Sequence, residues 1–289
     1  FKLEVLEKFR NDPRYSYRFN DAVGSIYAKT DMGDDEAYIK SVGIAYDEDF
    51  NRAVCIFYTD LMEMTVAQQR YWKHFELSGN YRRHPDFVNS QILGNFPENA
   101  SLAEAFTEEL YVINKITLEC LGKELFKHTY RGEKRPKELA FLIRPTSKEL
   151  QNFIHLLDKL LSENINKQFF KGKLQLDTEI VRKDGRVQVT PKGSLTLLEE
   201  CIRGWFKTND TEPLDTMFST FKKIRKMRTS PAHSIEEDTF DMKFFKEQRE
   251  LYIEAYSAIR LLRLALTNHP KADVSIVPSW LYEGKINSF

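Results

Sequence analysis

The chain has 289 residues, is 13% aromatic with 21 Phe and 13 Tyr, and carries 43 basic against 43 acidic residues, a formal net charge of zero. That aromatic content excludes an intrinsically disordered chain, and zero net charge excludes a global field drawing it to nucleic acid, so any basic surface must be local. Cys55, Cys120 and Cys201 are far apart and odd in number, which excludes a disulfide framework or cysteine metal cluster and sets the expectation of a reducing, cytoplasmic compartment.

No apolar run approaches the roughly 20 residues of a membrane span, so no membrane partner is expected. The chain begins at Phe1 rather than Met, and the expectation is a chain processed or trimmed at that end. The first hundred residues read as mixed structure. Arg14 to Tyr27, Tyr38 to Tyr46 and Arg52 to Tyr58 gather β-branched and aromatic residues into three strands, with Asp31–Asp35 and Asp47–Asp49 as acidic turns. Neither turn has the alternating ligand spacing of a calcium loop, and both read as solvated. Thr65 to Glu76 predicts a helix behind a Thr65/Gln68 capping box, and Ser101 to Phe126 a longer one behind Ser101/Glu104. The aromatic and basic residues of Tyr71–Phe75 read as a helix packing its rings on the sheet. Leu139 to Ile143 reads as a short strand, and Arg144-Pro145-Thr146 as a boundary.

Four helical segments follow: Ser147 to Phe169, Ser194 to Phe206, Leu214 to Arg228 and Asp241 to Asn268, with a β-hairpin over Leu174 to Thr190. The expected fold class is α+β. It comprises a mixed α/β domain over 1–144 and a C-terminal four-helix bundle with an inserted hairpin over 145–289.

Chemistry concentrates where the third of these helices ends. Five of the eight residues from 221 to 228 are basic: Lys222, Lys223, Arg225, Lys226 and Arg228. Arg228 lies seven residues after Phe221 and four after Ile224, so helix phase places it on the apolar face. Pro231 cannot extend the helix, which sets His233 just past its end. An arginine beside a group that titrates near neutral pH suits phosphodiester chemistry without a metal. The same residues also read as macrodipole-complementing charges on a solvated face. A second arginine–histidine spacing, Arg263 and His269, sits in an apolar run at the end of a long helix and reads as coincidence. No phosphate-binding glycine loop and no Gly-x-Ser-x-Gly element is present.

The helical region with Arg228-Thr229-Ser230-Pro231-Ala232-His233 between its last two helices resembles the HEPN superfamily, whose helical bundles carry an Arg-x4–6-His motif. The resemblance covers less than half the chain. It implies a metal-independent endoribonuclease with no cofactor, Arg228 on the phosphate and His233 moving a proton. It implies Lys222, Lys223, Arg225, Lys226 and Thr229 as RNA-binding neighbours, RNA as partner, a homodimer through the helical domain, and a toxin–antitoxin or antiviral setting with a protein antitoxin. Active members often carry Asn, Asp or His after the arginine, where this chain has Thr229. A non-catalytic relative that binds RNA, nucleotide or a partner protein is the alternative.

Overall fold

In a computed structural model of the chain, the described residues are 1–29, 39–95, 99–181, 184, 186–206, 209–229 and 237–287. The turn expected at Asp31–Asp35 lies outside them.

The fold is mixed α+β. After the short helix α1 (Glu7–Asn11), strands β1 (Tyr15–Phe19), β2 (Val23–Ala28), β3 (Ile39–Tyr46) and β4 (Arg52–Ile56) form an antiparallel sheet in the order β1-β2-β3-β4. The stretch read as one strand from Arg14 to Tyr27 is therefore two. Asn20 breaks it, because its side-chain oxygen accepts from the backbone N–H of Ala22 at 2.9 Å and of Val23 at 2.6 Å. That asparagine turn substitutes for the ladder and reverses the chain.

Short helix α2 (Tyr58–Met62) leads to α3 (Val66–His74), where the Thr65/Gln68 capping box is formed. Trp72 is fully buried, packing with Leu3, Leu6, Phe9, Tyr17 and Ile44 into a first core. Strand β5 (Arg82–Arg83) adds to β3, and His84 caps α4 (Pro85–Gln91). The two-residue β6 (Ala100–Ser101) precedes α5 (Leu102–Leu121), whose Ser101/Glu104 box is also formed. The helix stops at Leu121, not at Phe126, because Gly122 takes the left-handed conformation (φ 71°). The chain then folds back, and the buried Asn114 amide brackets Phe126, donating to its carbonyl at 2.8 Å and accepting from its N–H at 2.7 Å.

Leu139–Ile143 forms no strand. Side chains take up its backbone groups instead: Gln248 donates to the Ala140 carbonyl at 2.9 Å, and Ile143 N–H donates to Glu149 at 2.9 Å. Beyond it come α6 (Ser147–Asp158), the hairpin β7 (Asp177–Val181) and β8 (Val187–Pro191), α7 (Ser194–Trp205), α8 (Glu212–Thr229) and α9 (Lys243–Thr267). Short helix α10 (Ser279–Glu283) and β9 (Ile286–Asn287), which pairs in parallel with β6, complete the chain. The first segment is shorter than its expected span to Phe169. A single π-helical turn, Lys159–Glu163, ends it, and a separate 3-10 turn covers Lys167–Phe170.

Helix α5 packs on α9, α9 on α8 and α8 on α6, and with α7 they enclose a second core. The two cores interleave along the sequence. α5 belongs to the helical core, whereas Phe141 and Ile143 belong to the sheet core. Among the described residues no helix is long and apolar enough to cross a membrane.

Candidate functional site

The helical phase expected for α8 holds. Met217, Phe218, Phe221 and Ile224 are buried, while Lys222, Lys223, Arg225 and Lys226 face solvent. Arg228 continues the inward face, but it points at its own chain rather than outward to another copy. Its Nη1 donates to the Asp158 carboxylate at 2.6 Å and also to Glu163. Asp158 is fully buried, whereas the Arg228 side chain is 25% exposed and Glu163 42%. Hydrogen bonds to Asp158 and then Glu163 raise the arginine above its usual range, so it remains a cation.

The surrounding backbone explains how a carboxylate is kept dry there. Asp158 closes α6, and the π-helical turn after it returns Ser162 so that its hydroxyl donates to the other Asp158 oxygen. Ser162 is fixed in turn, because its carbonyl accepts from Ser194 Oγ at 2.7 Å. Lys127 donates to the Glu163 carbonyl at 2.7 Å and pins the far end of the turn. Charge pairing and hydrogen bonding together offset the cost of burying Asp158.

The basic helix end is less free than its sequence suggests. Lys222 pairs with Glu199 of α7 at 2.6 Å, and Lys223 pairs with Glu254 of α9 at 2.6 Å. Arg225 and Lys226 are exposed with no ion pair among the described residues. Thr229 Oγ1 donates back to the carbonyls of Lys226 at 3.0 Å and Arg225 at 3.3 Å. His233 lies outside the described residues, so the structure groups Arg228 with Asp158, Ser162 and Glu163.

Those three partners were not singled out from sequence, yet one signal was present. Asp158 stands four residues after Ile154 and eight after Leu150, a charge on the apolar stripe of an amphipathic helix. Arg263, by contrast, is structural. Its Nε meets Glu109 at 2.5 Å between α9 and α5, and both side chains are buried. The rings of Tyr71–Phe75 also pack as expected, with Tyr71 donating from its hydroxyl to the Val5 carbonyl at 3.0 Å.

A second polar cluster sits between the sheet and α9. Asp21, in the β1–β2 turn, faces Arg249 at 3.3 Å and Arg52 at 3.7 Å. Burial pushes the Asp21 carboxyl up, against the pull of both arginines. Outside this cluster opens a groove of about 1180 Å³ whose walls include the Asp47–Arg52 turn, Arg82, Phe245 and Lys246. Phe50 stands on its rim, 81% exposed and held at φ 61°.

No family model, curated protein or solved structure matches this chain. The functional reading therefore rests on the residues themselves.

Proposed function

We propose that this chain is a metal-independent endoribonuclease of HEPN type, with α6, α7, α8 and α9 as its four-helix bundle. The observation that carries the reading is Arg228. A buried carboxylate holds it in the last turn of α8 with part of the guanidinium in solvent, and the sequence bearing His233 follows directly. Arg225 and Lys226 beside it are exposed cations suited to the flanking phosphates of an RNA strand.

In the proposed reaction the 2′-hydroxyl of RNA attacks the adjacent phosphorus while His233 takes its proton. The bond from phosphorus to the 5′ oxygen breaks, and that oxygen leaves with a proton. The products are a 2′,3′-cyclic phosphate and a 5′-hydroxyl. Arg228 stabilises the charge that builds on the phosphoryl oxygens. Asp158 is a positioning residue that orients the guanidinium, and the exposed Glu163 gives way to the phosphate. Two copies of the chain supply a second histidine for the leaving oxygen. A toxin or antiviral effector restrained by a protein antitoxin is the setting this reading implies.

One observation favours the non-catalytic alternative, a helical module that binds RNA, nucleotide or a partner protein. Two carboxylates already oppose the single charge of Arg228. Incubating the protein with unstructured RNA in EDTA separates the two readings. Catalysis requires cleavage that ends in cyclic phosphate and disappears in His233→Ala, with Glu163→Gln cleaving at least as fast as the parent. Cleavage untouched by His233→Ala sinks the assignment. Salt-dependent RNA binding without cleavage establishes the alternative.

A further inference from the structure

The groove of about 1180 Å³ outside the Asp21 cluster takes no part in the RNA reading, yet it has room for a small organic ligand. Its walls are mostly apolar, with Tyr46 and Phe50 on the sheet side and Met242 and Phe245 on the helix side. Met242, Phe245 and Arg249 stand at i, i+3 and i+7, which is one face of α9 and about 10 Å from end to end. Phe50 and Met242 are 81% and 47% exposed, and Phe50 holds its ring out on a strained backbone. Neither exposure helps the fold, and both side chains border the same groove.

Charge at the inner end is incompletely matched. Arg249 and Arg52 line the groove and share the Asp21 carboxylate beneath it. Asp21 is the one acid paired with Arg249 among the described residues, and Arg249 Nη2 is buried without a hydrogen-bond partner. Burial pulls this guanidinium below its usual range, against the pull of Asp21. An added anion beside Arg249 gives it an acceptor of its own. The groove as a whole carries five basic and five acidic side chains, which disfavours a polyanion such as RNA. A phosphate monoester brings a charge of about −1.5 to −2, whereas a carboxylate brings a single charge and the planar shape that pairs with guanidinium.

We infer that this groove binds an organic acid, with its carboxylate on Arg249 and its apolar body running along Phe245 and Met242 toward Phe50. Guanidinium pairing fixes the head, and burial of the apolar body supplies most of the attraction. None of these residues belongs to the RNA site, so either reading can fail without the other.

Isothermal titration calorimetry of the full chain with decanoate is the test, with decanol as the uncharged control. Decanoate saturates at one equivalent and binds at least about tenfold more tightly than decanol. Arg249→Met leaves Asp21 paired with Arg52, so the fold is kept, and the preference for the acid disappears. Phe50→Ala weakens acid and alcohol alike. Met242→Glu, a change at an exposed position, sets a carboxylate against the apolar body and abolishes decanoate binding at an unchanged circular dichroism spectrum. Equal binding of acid and alcohol to the parent, or no binding of either, overturns the inference. So does a preference that survives Arg249→Met, or decanoate binding that survives Met242→Glu.

Discussion

Arg228 performs a structural duty that an alanine cannot separate from any chemical one. Removing it leaves the Asp158 carboxyl dry at the end of α6 without its partner, and breaking a buried pair in this way costs about 3 kcal/mol. We therefore expect Arg228→Ala to lower stability by that order, read as a reduced urea midpoint. The double change Arg228→Met with Asp158→Asn should recover most of the loss, because no buried charge is then left alone. Activity lost in the single change alone would report on folding as much as on catalysis. Phe50 gives the opposite case. A bulky residue at positive φ is strained, and its exposed ring recovers little of that cost by burial. Phe50→Gly should raise stability by about 1 kcal/mol, seen as a higher midpoint at unchanged slope. How much of the site could be read depends on how local its contacts are. Helix phase alone turned Arg228 inward. Its partners Asp158 and Glu163 are 70 and 65 residues away in sequence, so only the misplaced charge at 158 hinted at them.

Between α5 and α9, burial leaves two polar atoms of one ion pair without hydrogen bonds, Glu109 Oε1 and Arg263 Nη2, with the Tyr256 hydroxyl also unsatisfied. Burial pushes the Glu109 carboxyl up to about 7 from 4.5, against the pull of Arg263. A carboxyl that binds its proton more tightly when folded contributes stability fully present below its unfolded value. That contribution fades as pH rises through the folded value. Between about pH 4.5 and 7 the loss amounts to about 3 kcal/mol. Thermal unfolding should show the melting temperature falling across this window in the parent, with a much flatter slope in Glu109→Gln. A parent curve as flat as the variant's would refute the shift. The elements themselves were legible wherever their signals were short-range. Capping boxes at Thr65/Gln68 and Ser101/Glu104 formed because each needs only four neighbouring residues. Thr146 and Glu149 have the spacing of a further box, and only half of it forms. Thr146 accepts from the Glu149 N–H at 3.2 Å, but the Glu149 carboxylate goes to Arg10 at 2.7 Å, a partner 139 residues away. The overlong helices at Phe126 and Phe169 share a cause: apolar periodicity continues past the residue that ends the helix, Gly122 in one case and the π-helical turn in the other.

Over the whole molecule the two cores are keyed together. Phe245 packs against both, and Arg10–Glu149, Arg144–Glu7 and Arg249–Asp21 cross between the sheet layer and the helices. A fragment beginning at residue 145 lacks α5 and with it one wall of the helical core. It should show helical circular dichroism without the near-UV signal of fixed aromatic rings, while the full chain unfolds in one transition. A fragment with native-like near-UV bands would show that the helical part folds alone. Helix α6 has one more property with a consequence. Gln151 donates to the carbonyls of Met227 and Arg228 at 3.4 Å, while Asp238 accepts from Ser147 Oγ at 3.1 Å and Lys148 N–H at 2.9 Å. Both ends of the α8–α9 connection are thus fastened to the same rigid rod. The gap between Thr229 and Glu237 is therefore spanned by one turn of α6, from Ser147 to Gln151, whatever joins them in sequence. A change that unwinds that turn would release the C-terminal end of α8 and the approach to α9 together.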